Sequence, residues 1–509
     1  MSLLVAGLAA FLLTVLLTPL VKHFSIKWDV LDRPDGQRKL HKTPIPLLGG
    51  LAVFGGIVLA VVMAAYLRLL PGQYVTDKFI IGIIVALAIL VIGGMVDDAW
   101  NIKTKSFIFP LLAAIVIMAA GIGIKYISNP LGGIIPLDRL SLTVLSWNGW
   151  PLKVTILANL FTIAWLLGTT YTTKLLDGLD GLVSGVTVIG AGILAAVSLR
   201  SDVMQQDTAV LCAIIAGAFL GFLLFNFHPA SIFLGEGGST MAGFLLGVIA
   251  IIAGGKIATT LLILGLPLFD MLYVMIKRAF KTGKNSVFSA DTQHLHFRLL
   301  EHGFSSKSIV LFFYAVVAVF GVSTLVLKGP QKLIAIGLIA VLLAILAVAS
   351  SWRSEIFAKR KKIILIILAT VFIKAAISGI SFLTANETGS VILPNNKQIT
   401  IEVERTDEEK ARGLAGRLRL GEDQGMLFVF ETPASYSFWM KGMLIPIDII
   451  WLRSGVIVDV AERVPPPSNG ELPVYTPLTS ADRVLEVKAG FVATEGLKIG
   501  DKLKVLTKF

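Results

Sequence analysis

The segment FIIGIIVALAILVIGGMVDDAW at residues 79–100 places eighteen residues without a charged side chain directly before two adjacent aspartates. A bilayer with a hydrocarbon core of about 30 Å is crossed by a helix of about 20 apolar residues. Apolar runs of similar length recur through the first three quarters of the chain. Because only helices and closed barrels span a bilayer, these runs predict a polytopic α-helical membrane protein.

The composition excludes an ordinary soluble protein. Of the 509 residues, 55% are hydrophobic and 15% are charged, and the mean hydropathy is +0.82. A soluble domain carries about 25% charged residues. The net charge of +12 is uneven, because residues 385–509 hold 15 Lys and Arg against 17 Asp and Glu. The basic remainder is explained either by cytoplasmic loops or by anionic substrates and lipids.

The apolar runs predict about 11–12 transmembrane helices. The run at 240–254 is short and ends at Gly254 and Gly255, which indicates a tilted or broken helix. The candidate spans are 3–21, 47–67, 78–96, 107–124, 153–173, 182–199, 208–225, 240–254, 257–276, 308–327, 332–350 and 363–383.

Basic residues concentrate in the loops 22–42 and 351–362, which predicts that both loops are cytoplasmic. The N-terminus and everything after residue 384 would then lie outside. The sequence therefore predicts a multi-pass protein of the cell membrane with an extracytoplasmic C-terminal region.

A change of composition near residue 384 divides a membrane-embedded domain, 1–384, from a small soluble one. Residues 385–397 read as a linker. In 398–509, short runs such as QITIEVE, IDIIWL and VIVDVAERV alternate with Gly, Pro and Asn, which predicts a mostly β domain. The segment TDEEKARGLAG is expected to form one short helix.

Under this topology the ionisable residues of interest gather at the cytoplasmic face. Each of them alone is as well explained by capping of a helix end near water. Together they indicate a site, because adjacent aspartates repel each other unless a cation or donor compensates. The two aspartates of DGLDG would share one face if that segment is helical. The residues are Asp97, Asp98, Asp177, Asp180, Glu236, Asp270, His294, His296 and Arg298.

Carboxylates beside basic loops are typical of Mg²⁺-assisted phosphoryl chemistry. Basic and histidine side chains, including Lys39 and His41, are suited to hold a pyrophosphate or a lipid phosphate. His294 and His296 offer an alternative transition-metal site, although no third His or Cys stands close in the sequence.

Six blocks, in this order, resemble the polyprenyl-phosphate N-acetylhexosamine-1-phosphate transferases. That family includes undecaprenyl-phosphate GlcNAc-1-phosphate transferases and the phospho-MurNAc-pentapeptide transferase. The resemblance covers about residues 1–305. The blocks are DRPDGQRKLHKTPIPLLGG (32–50), GGMVDDAWNIKTKS (93–106), KLLDGLDGLVSG (174–185), FNFHPASIFLGEGGST (225–240), LPLFDMLYVMIKR (266–278) and FSADTQHLHFRLL (288–300).

The RKLH block and the HLHFR loop look more like the GlcNAc-1-phosphate branch. The resemblance implies a UDP-N-acetylhexosamine donor, an undecaprenyl phosphate acceptor and a Mg²⁺ cofactor, with Mn²⁺ as an alternative. It also implies that the protein lies in the lipid bilayer and binds no nucleic acid. It leaves open whether the protein forms a homodimer.

The resemblance also implies roles for individual residues. It places Asp97 and Asp98 near the lipid phosphate as candidate bases, and Asp177 and Asp180 at the catalytic centre. It makes Glu236, with Asp177, the metal ligand. The substrate contacts would be Lys39, His41, Lys174, Asn226, Asp270, His294, His296 and Arg298.

Two positions depart from the usual pattern of the family. Glu236 stands where Asp is usual, and Lys174 replaces a common Asn in TTYTTKLL (169–176). These departures bear on metal geometry and on donor preference.

The C-terminal region resembles a separate family of small domains without an assigned function, through RGLAGR (412–417), DQGMLFVF (423–430), FWMKGMLIPIDIIWL (438–452) and RVLEVKAG (483–490). Trp439, Met440, Lys441 and Asp448 are candidates to line a ligand site. The alternative is a compact β core with buried aromatic residues, which the composition favours.

Two other functions compete with the transferase. A transporter or flippase would be expected to show repeats and polar residues at mid-membrane depth. An inactive membrane anchor for the C-terminal domain is the other, and the Glu236 departure keeps it open.

Overall fold

The structure, a computed structural model, divides the chain into a first unit that ends at Leu383 and a second that begins at Thr384. The candidate spans 332–350 and 363–383, the loop 351–362, and Lys39 and His41 lie outside the described residues. The structure describes residues 2–34, 43–70, 74–100, 107–128, 134–137, 141–147, 150–200, 205–254, 257–279, 294–325, 388–405, 419–467 and 473–507, together with a few single residues.

The first unit is helical. Short two-stranded ribbons separate some of its helices: β1 (Leu31–Asp32) pairs with β2 (Ile45–Pro46), β3 (Tyr126–Ser128) with β4 (Ile134–Pro136), and β5 (Ser141–Trp147) with β6 (Trp150–Thr155). The described helices are α1 (Ser2–Lys27), α2 (Gly49–Tyr66), α3 (Asp77–Trp100), α4 (Ile108–Ala119), α5 (Ile156–Leu176), α6 (Leu182–Ser198), α7 (Gln206–Asn226), α8 (Gly235–Ile252), α9 (Ile257–Ile263), α10 (Gly265–Ala279), α11 (Leu295–Glu301) and α12 (Ser306–Ser323).

The polytopic helical class is confirmed. Within the described residues, six helices are long and apolar enough to cross a membrane, or seven if the bent pair α9 and α10 counts as one span. This is fewer than the 11–12 expected from the sequence. Helices α4 and α6 are apolar but have only 12 and 17 residues, α5 has 21 residues but is not apolar enough, and the last two candidate spans are not described.

Helix α8 lies at the centre of the first unit. In its most apolar window 89% of the residues are buried, against 28% for α1. It packs on α2, α3, α5 and α6, while α1 packs on α2 and α7 at the periphery. A helix that is apolar all round is expected in such a buried position.

Glycines let the start of α8 approach its neighbours at backbone distance. A Cβ on Gly94 of α3 would overlap the backbone of Gly237, and a Cβ on Gly50 of α2 would overlap Gly238. Small residues at helix contacts permit this closeness in membrane proteins. The packing brings the N-terminus of α8 against the C-terminal turn of α3, where the two adjacent aspartates lie.

The second unit is a mixed sheet with the order β12-β11-β14-β9-β8-β7-β15. Strands β8 and β9 are parallel, and the other neighbours in the sheet are antiparallel. The elements are β7 (Thr388–Ile392), β8 (Gln398–Glu404), β9 (Gln424–Ala434), β10 (Phe438–Trp439), β11 (Ile447–Arg453), β12 (Val456–Val464), β13 (Val474–Tyr475), β14 (Ala481–Lys488), α13 (Phe491–Glu495) and β15 (Lys504–Thr507).

The predicted mostly β domain is confirmed by this sheet. Both faces of the sheet are covered by apolar side chains. Along β11, Ile449 and Trp451 enter one core, while Ile450 and Leu452 enter the other. A strand buried on both faces reads as a continuous apolar run, as IDIIWL does. The proposed linker 385–397 overlaps β7, because Thr388–Ile392 in that range forms a strand that pairs with β8 and β15. Most of the predicted helix TDEEKARGLAG lies outside the described residues.

Candidate active site

Four carboxylates from three elements meet where α3, α5 and α8 converge. Asp97 and Asp98 lie in the last turn of α3, Asp177 follows α5, and Glu236 lies in the first turn of α8. Each of Asp97, Asp98 and Asp177 lies within electrostatic range of Glu236. We call these four residues the carboxylate cluster. The fold therefore brings together carboxylates that are spread along the sequence from Asp97 to Glu236.

Asp98 caps α8 as well as belonging to the cluster. Its carboxylate accepts a hydrogen bond from the Glu236 backbone N–H, with 3.1 Å between N and Oδ2. An anion at a helix N-terminus is stabilised by the unpaired N–H groups and the helix dipole. Gly235, at φ 72°, makes the approach possible, since a Cβ there would overlap the Leu47 carbonyl. Glu236 is thus held by its backbone.

Lys174 makes an ion pair with Glu236, between Nζ and Oε1. The two side chains are 22% and 19% exposed, so solvent screens the pair only in part. The ammonium also lies 5.5 Å from the centroid of the Tyr171 ring, a cation–π distance. Sequence reasoning had assigned Lys174 to the substrate and Glu236 to a metal, and it missed that the two side chains contact each other.

The expected magnesium site does not fit this arrangement. No group of three or more His, Cys, Asp or Glu side chains in the described part of the chain is placed to hold a metal ion. Mg²⁺ needs near-octahedral oxygen ligands at about 2.0–2.1 Å. Here the Lys174 ammonium occupies the carboxylate of Glu236, the residue expected to bind the ion. The same finding leaves the alternative His294 and His296 metal site without a third ligand among the described residues.

The DGLDG segment forms turns between α5 and α6, so its two aspartates do not share a helix face. Asp180 instead faces the segment after α7. Its Oδ2 lies 2.7 Å from His228 Nδ1 and accepts a hydrogen bond from the Ala230 N–H at 3.1 Å. His228 stands in the FNFHPAS block but was not singled out from the sequence. The contact gives Asp180 a role in fixing the turn beside Asp177.

Asn226 is occupied by contacts within the protein. Its Oδ1 accepts from the Gly181 N–H at 3.2 Å and from the Ser184 hydroxyl at 2.9 Å, and its Nδ2 donates to the Ile232 carbonyl at 3.1 Å. The side chain is buried. We therefore assign Asn226 to positioning the DGLDG turn, in place of the substrate contact that the sequence suggested.

Asp270 orients the histidine segment. Its Oδ1 accepts from the Leu295 N–H at 2.9 Å, at the start of α11, and its Oδ2 lies 3.0 Å from His294 Nδ1. Arg298 approaches Asp270 at 3.9 Å and lies over the Tyr273 ring at 5.2 Å. A buried charge inside an apolar run is thereby paired, as burial requires. These contacts of Asp270 are with other residues of the protein.

Among the side chains of this segment, His296 has the most unused hydrogen-bonding capacity. Its ring is 1% exposed, and neither ring nitrogen has a hydrogen-bond partner in the described structure. Burial lowers the pKa of His296 to about 4, so the ring is neutral at physiological pH. It packs against Gly178 of DGLDG, where any Cβ would overlap it. The histidine segment and the DGLDG turn therefore form one wall beside the carboxylate cluster.

The second unit contains a separate pocket of about 200 Å³. Trp439 and Lys441 line it, as the sequence suggested, and Glu486 closes it with a buried carboxylate whose Oε2 has no partner among the described residues. Met440 is in the core, and Asp448 is fully buried. Asp448 accepts from the N–H groups of Arg463, Gly490 and Val492, so it stabilises the fold around α13 and does not line this pocket.

Comparison with known families assigns each unit. The profile of glycosyl transferase family 4 matches residues 80–254, and that of DUF192, an uncharacterized ACR family, matches residues 391–505. The first match contains the whole carboxylate cluster with Lys174. The second contains Trp439, Lys441 and Glu486.

Individual relatives agree with the first assignment. The chain is 31% identical over 346 residues to a Bacillus subtilis protein named "Probable undecaprenyl-phosphate N-acetylglucosaminyl 1-phosphate transferase", covering 67% of this chain and 88% of that one. It is 30% identical over 366 residues to the Mycobacterium tuberculosis decaprenyl-phosphate N-acetylglucosaminephosphotransferase, covering 66% and 86%. A solved Novosphingobium aromaticivorans protein of unknown function is 29% identical, covering 23% of this chain and 83% of that one, with a TM-score of 0.21.

Proposed function

The chain belongs to glycosyl transferase family 4 and carries a C-terminal DUF192 domain, and we propose that it transfers N-acetylglucosamine-1-phosphate from its UDP-linked form to undecaprenyl phosphate. A phosphate oxygen of the lipid forms a new bond to the phosphorus that carries the sugar. The bond from that phosphorus to the UMP oxygen breaks. The products are UMP and a lipid-pyrophosphate sugar, which would start a cell-envelope glycan.

The observation that carries this proposal is the convergence of the carboxylate cluster with the histidine segment across the DGLDG turn. Phosphoryl transfer depends on positioning and charge stabilisation more than on covalent chemistry of the protein. The contact of His296 with Gly178 puts a donor-bearing wall next to Asp177. The histidine segment can thus hold the pyrophosphate of the donor, while the carboxylate cluster receives the attacking lipid phosphate.

Roles follow from what each side chain already contacts. Asp97 is our candidate to accept a proton from the lipid phosphate, because Asp98 is partly engaged in capping α8. Neutral His296 donates one N–H, and Arg298 supplies a fixed positive charge, both suited to phosphate oxygens. Lys39 and His41 remain predicted contacts outside the described residues. Because Lys174 holds Glu236, we assign no step to Mg²⁺.

The membrane orientation belongs to the same proposal. The positive loops 22–42 and 351–362 predict that the carboxylate cluster lies at the cytoplasmic face and the DUF192 domain on the other side. The acidic groups lie together at helix ends instead of along a path through the bundle. This arrangement favours an enzyme over a transporter, in which charged groups mark a route across the membrane.

The test is release of UMP by the purified full-length protein in detergent, with undecaprenyl phosphate and a panel of UDP-sugars. We expect turnover with UDP-N-acetylglucosamine, dependent on the lipid. A UDP-hexose without the acetamido group serves as the matched donor control and should react at least about 10-fold more slowly, since a missing hydrogen bond costs about 1.4 kcal/mol or more. Absence of turnover with every sugar, with or without divalent cations, would support the transporter or the inactive anchor.

A further inference from the structure

The charge at the centre of the carboxylate cluster comes from Lys174. Its ammonium contacts Glu236 directly, and Glu236 lies within electrostatic range of Asp97, Asp98 and Asp177. Four carboxylates at this range repel one another unless a cation or a hydrogen-bond donor compensates. The chain places a covalently attached one on the carboxylate where its family resemblance predicts a metal ion.

Helix electrostatics favour this pair from both sides. Lys174 lies in the last turn of α5, and Glu236 lies in the first turn of α8. A cation is stabilised at a helix C-terminus and an anion at a helix N-terminus. The pair therefore joins two helix ends of opposite partial charge, and removing either partner would leave the other helix end less well compensated.

The backbone on both sides of the pair is fixed. The Thr173 hydroxyl, next to Lys174, donates to the Ser239 carbonyl of α8 at 2.8 Å. Glu236 is held by the Asp98 carboxylate and by the close approach of Gly237 to Gly94. The backbone positions that carry Lys174 and Glu236 are therefore fixed relative to each other.

Lys174 and a divalent ion compete for the same carboxylate. A Mg²⁺ bound to Glu236 would carry two positive charges next to the ammonium, in a site that water screens only in part. The two positions at which the chain departs from its family, Lys174 and Glu236, are the two partners of this contact. Glutamate in place of the usual aspartate, and lysine in place of asparagine, provide two long side chains of opposite charge that can form this ion pair.

We propose that the Lys174 ammonium takes the place of a divalent cation in the sugar-phosphate transfer, so that the centre binds its nucleotide diphosphate substrate and turns over without added metal. This rests on the proposed function. An ammonium has three N–H donors, so that Lys174 can contact the diphosphate of the donor as well as Glu236. Lys174 thereby stabilises the negative charge that moves onto the UMP oxygen as the phosphorus–oxygen bond breaks.

The first test measures metal binding and does not depend on turnover. Purified full-length protein is titrated with Mn²⁺, and free Mn²⁺ is followed by electron paramagnetic resonance. We expect no stoichiometric site in the parent protein and one site in the Lys174→Asn/Glu236→Asp double variant. One site in the parent that disappears in Glu236→Gln would overturn the proposal, whether or not UMP is released. Lack of a site in the double variant would also count against it.

The second test measures UMP release in EDTA. The parent should keep at least half of its rate, the double variant should lose at least about 10-fold and recover with Mg²⁺, and Lys174→Met should lose about 100-fold or more. Lys174→Arg keeps the charge and should retain measurable turnover. Lys78→Met, at the other end of α3 and exposed, is the matched control for loss of a lysine. A parent enzyme that is active only with Mg²⁺ would refute the inference while leaving the proposed function intact.

Discussion

Single carboxylates of the site differ in what holds them. Asp98 and Asp180 accept backbone N–H groups, and Asp270 holds both a backbone N–H and a histidine. Such groups keep their geometry when the charge is removed, because an amide oxygen still accepts the hydrogen bond. Charge and geometry can therefore be separated by Asp→Asn substitutions.

We expect Asp97→Asn, Asp98→Asn and Asp177→Asn each to reduce UMP release by about 100-fold or more while leaving thermal unfolding nearly unchanged. The lost charge acts on phosphates in the transition state, where electrostatic groups contribute most. Asp29→Asn is the control, since Asp29 forms an exposed i,i+4 pair with Arg33. Rates near the parent value in all three variants would remove the cluster from the mechanism.

Glu486 offers a pH-dependent test of the second unit. Burial raises the pKa of Glu486 from 4.5 to about 8, and the nearby Arg417 lowers it in part. The folded state therefore favours the protonated acid, so the stability it contributes is fully present below pH 4.5 and is lost as the pH rises towards 8. In the isolated domain 385–509, we expect the free energy of unfolding to fall between pH 5 and pH 8.

Between pH 5 and pH 8, the free energy of unfolding of the Glu486→Gln variant should fall less than that of the parent, by at least about 1 kcal/mol. One pKa unit corresponds to about 1.4 kcal/mol. Urea unfolding at each pH measures it. Glu431→Gln, at an exposed position of β9, is the control. Parallel pH profiles for parent and Glu486→Gln would show that the carboxyl is not protonated in the fold.

At the scale of elements, the apolar runs predicted where the helices lie but not where one breaks. The glycines Gly254 and Gly255 suggested a tilted or broken helix at 240–254, and α8 runs unbroken from Gly235 to Ile252. The break lies between α9 and α10, which meet at an angle of 78°. Pro267, in the first turn of α10, has no N–H to continue the ladder from α9. Pro267 was therefore a better sequence signal for the break in a helix than Gly254 and Gly255.

The contact between α3 and α8 gives a prediction at this scale. Gly94→Ala should lower the thermal unfolding temperature of the detergent-solubilised protein, because its Cβ would overlap the Gly237 backbone and push α8 away from Asp98. We expect a cost of about 1–3 kcal/mol, as for overpacking in a core, together with reduced UMP release.

Gly168→Ala is the matched control within α5, since nothing lies within 4 Å of a Cβ at that position. It should be neutral or stabilising by up to about 1 kcal/mol, because alanine favours a helix over glycine. Equal unfolding temperatures for the two variants would mean that the helices can separate at Gly94 without loss.

At the scale of the whole molecule, the sequence predicted both units and most of the β runs, because their signals are local. The IDIIWL run lies within β11, and VIVDVAERV coincides with β12. The pairing of Lys174 with Glu236 could not be read in the same way. It joins side chains 62 positions apart, and it exists because Thr173 and Gly237 fix the helices that carry them. The contacts of Asp180 with His228 and of Asn226 with Gly181 were missed for the same reason.

The orientation of the two units relative to the membrane is the largest prediction that remains. The loops 22–42 and 351–362 carry the basic residues that are expected on the cytoplasmic side, and one further apolar run, 363–383, follows the second loop. The DUF192 domain would then be separated from the carboxylate cluster by the bilayer. Its net charge of −2, against +14 for the rest of the chain, agrees with a region that escapes the positive-inside bias.

Reporter fusions decide this. Alkaline phosphatase, which folds only outside the cytoplasm, should be active when fused after Phe509 and inactive when fused within the basic segment 277–284, and a cytoplasmic reporter should show the reverse. The second site is the matched control, because it begins in the last turn of α10, on the side assigned to the carboxylate cluster. Cytoplasmic activity at both sites would mean that the runs between them cross the membrane an even number of times. The DUF192 domain would then share its compartment with the UDP-sugar, and its pocket around Glu486 would be open to cytoplasmic ligands.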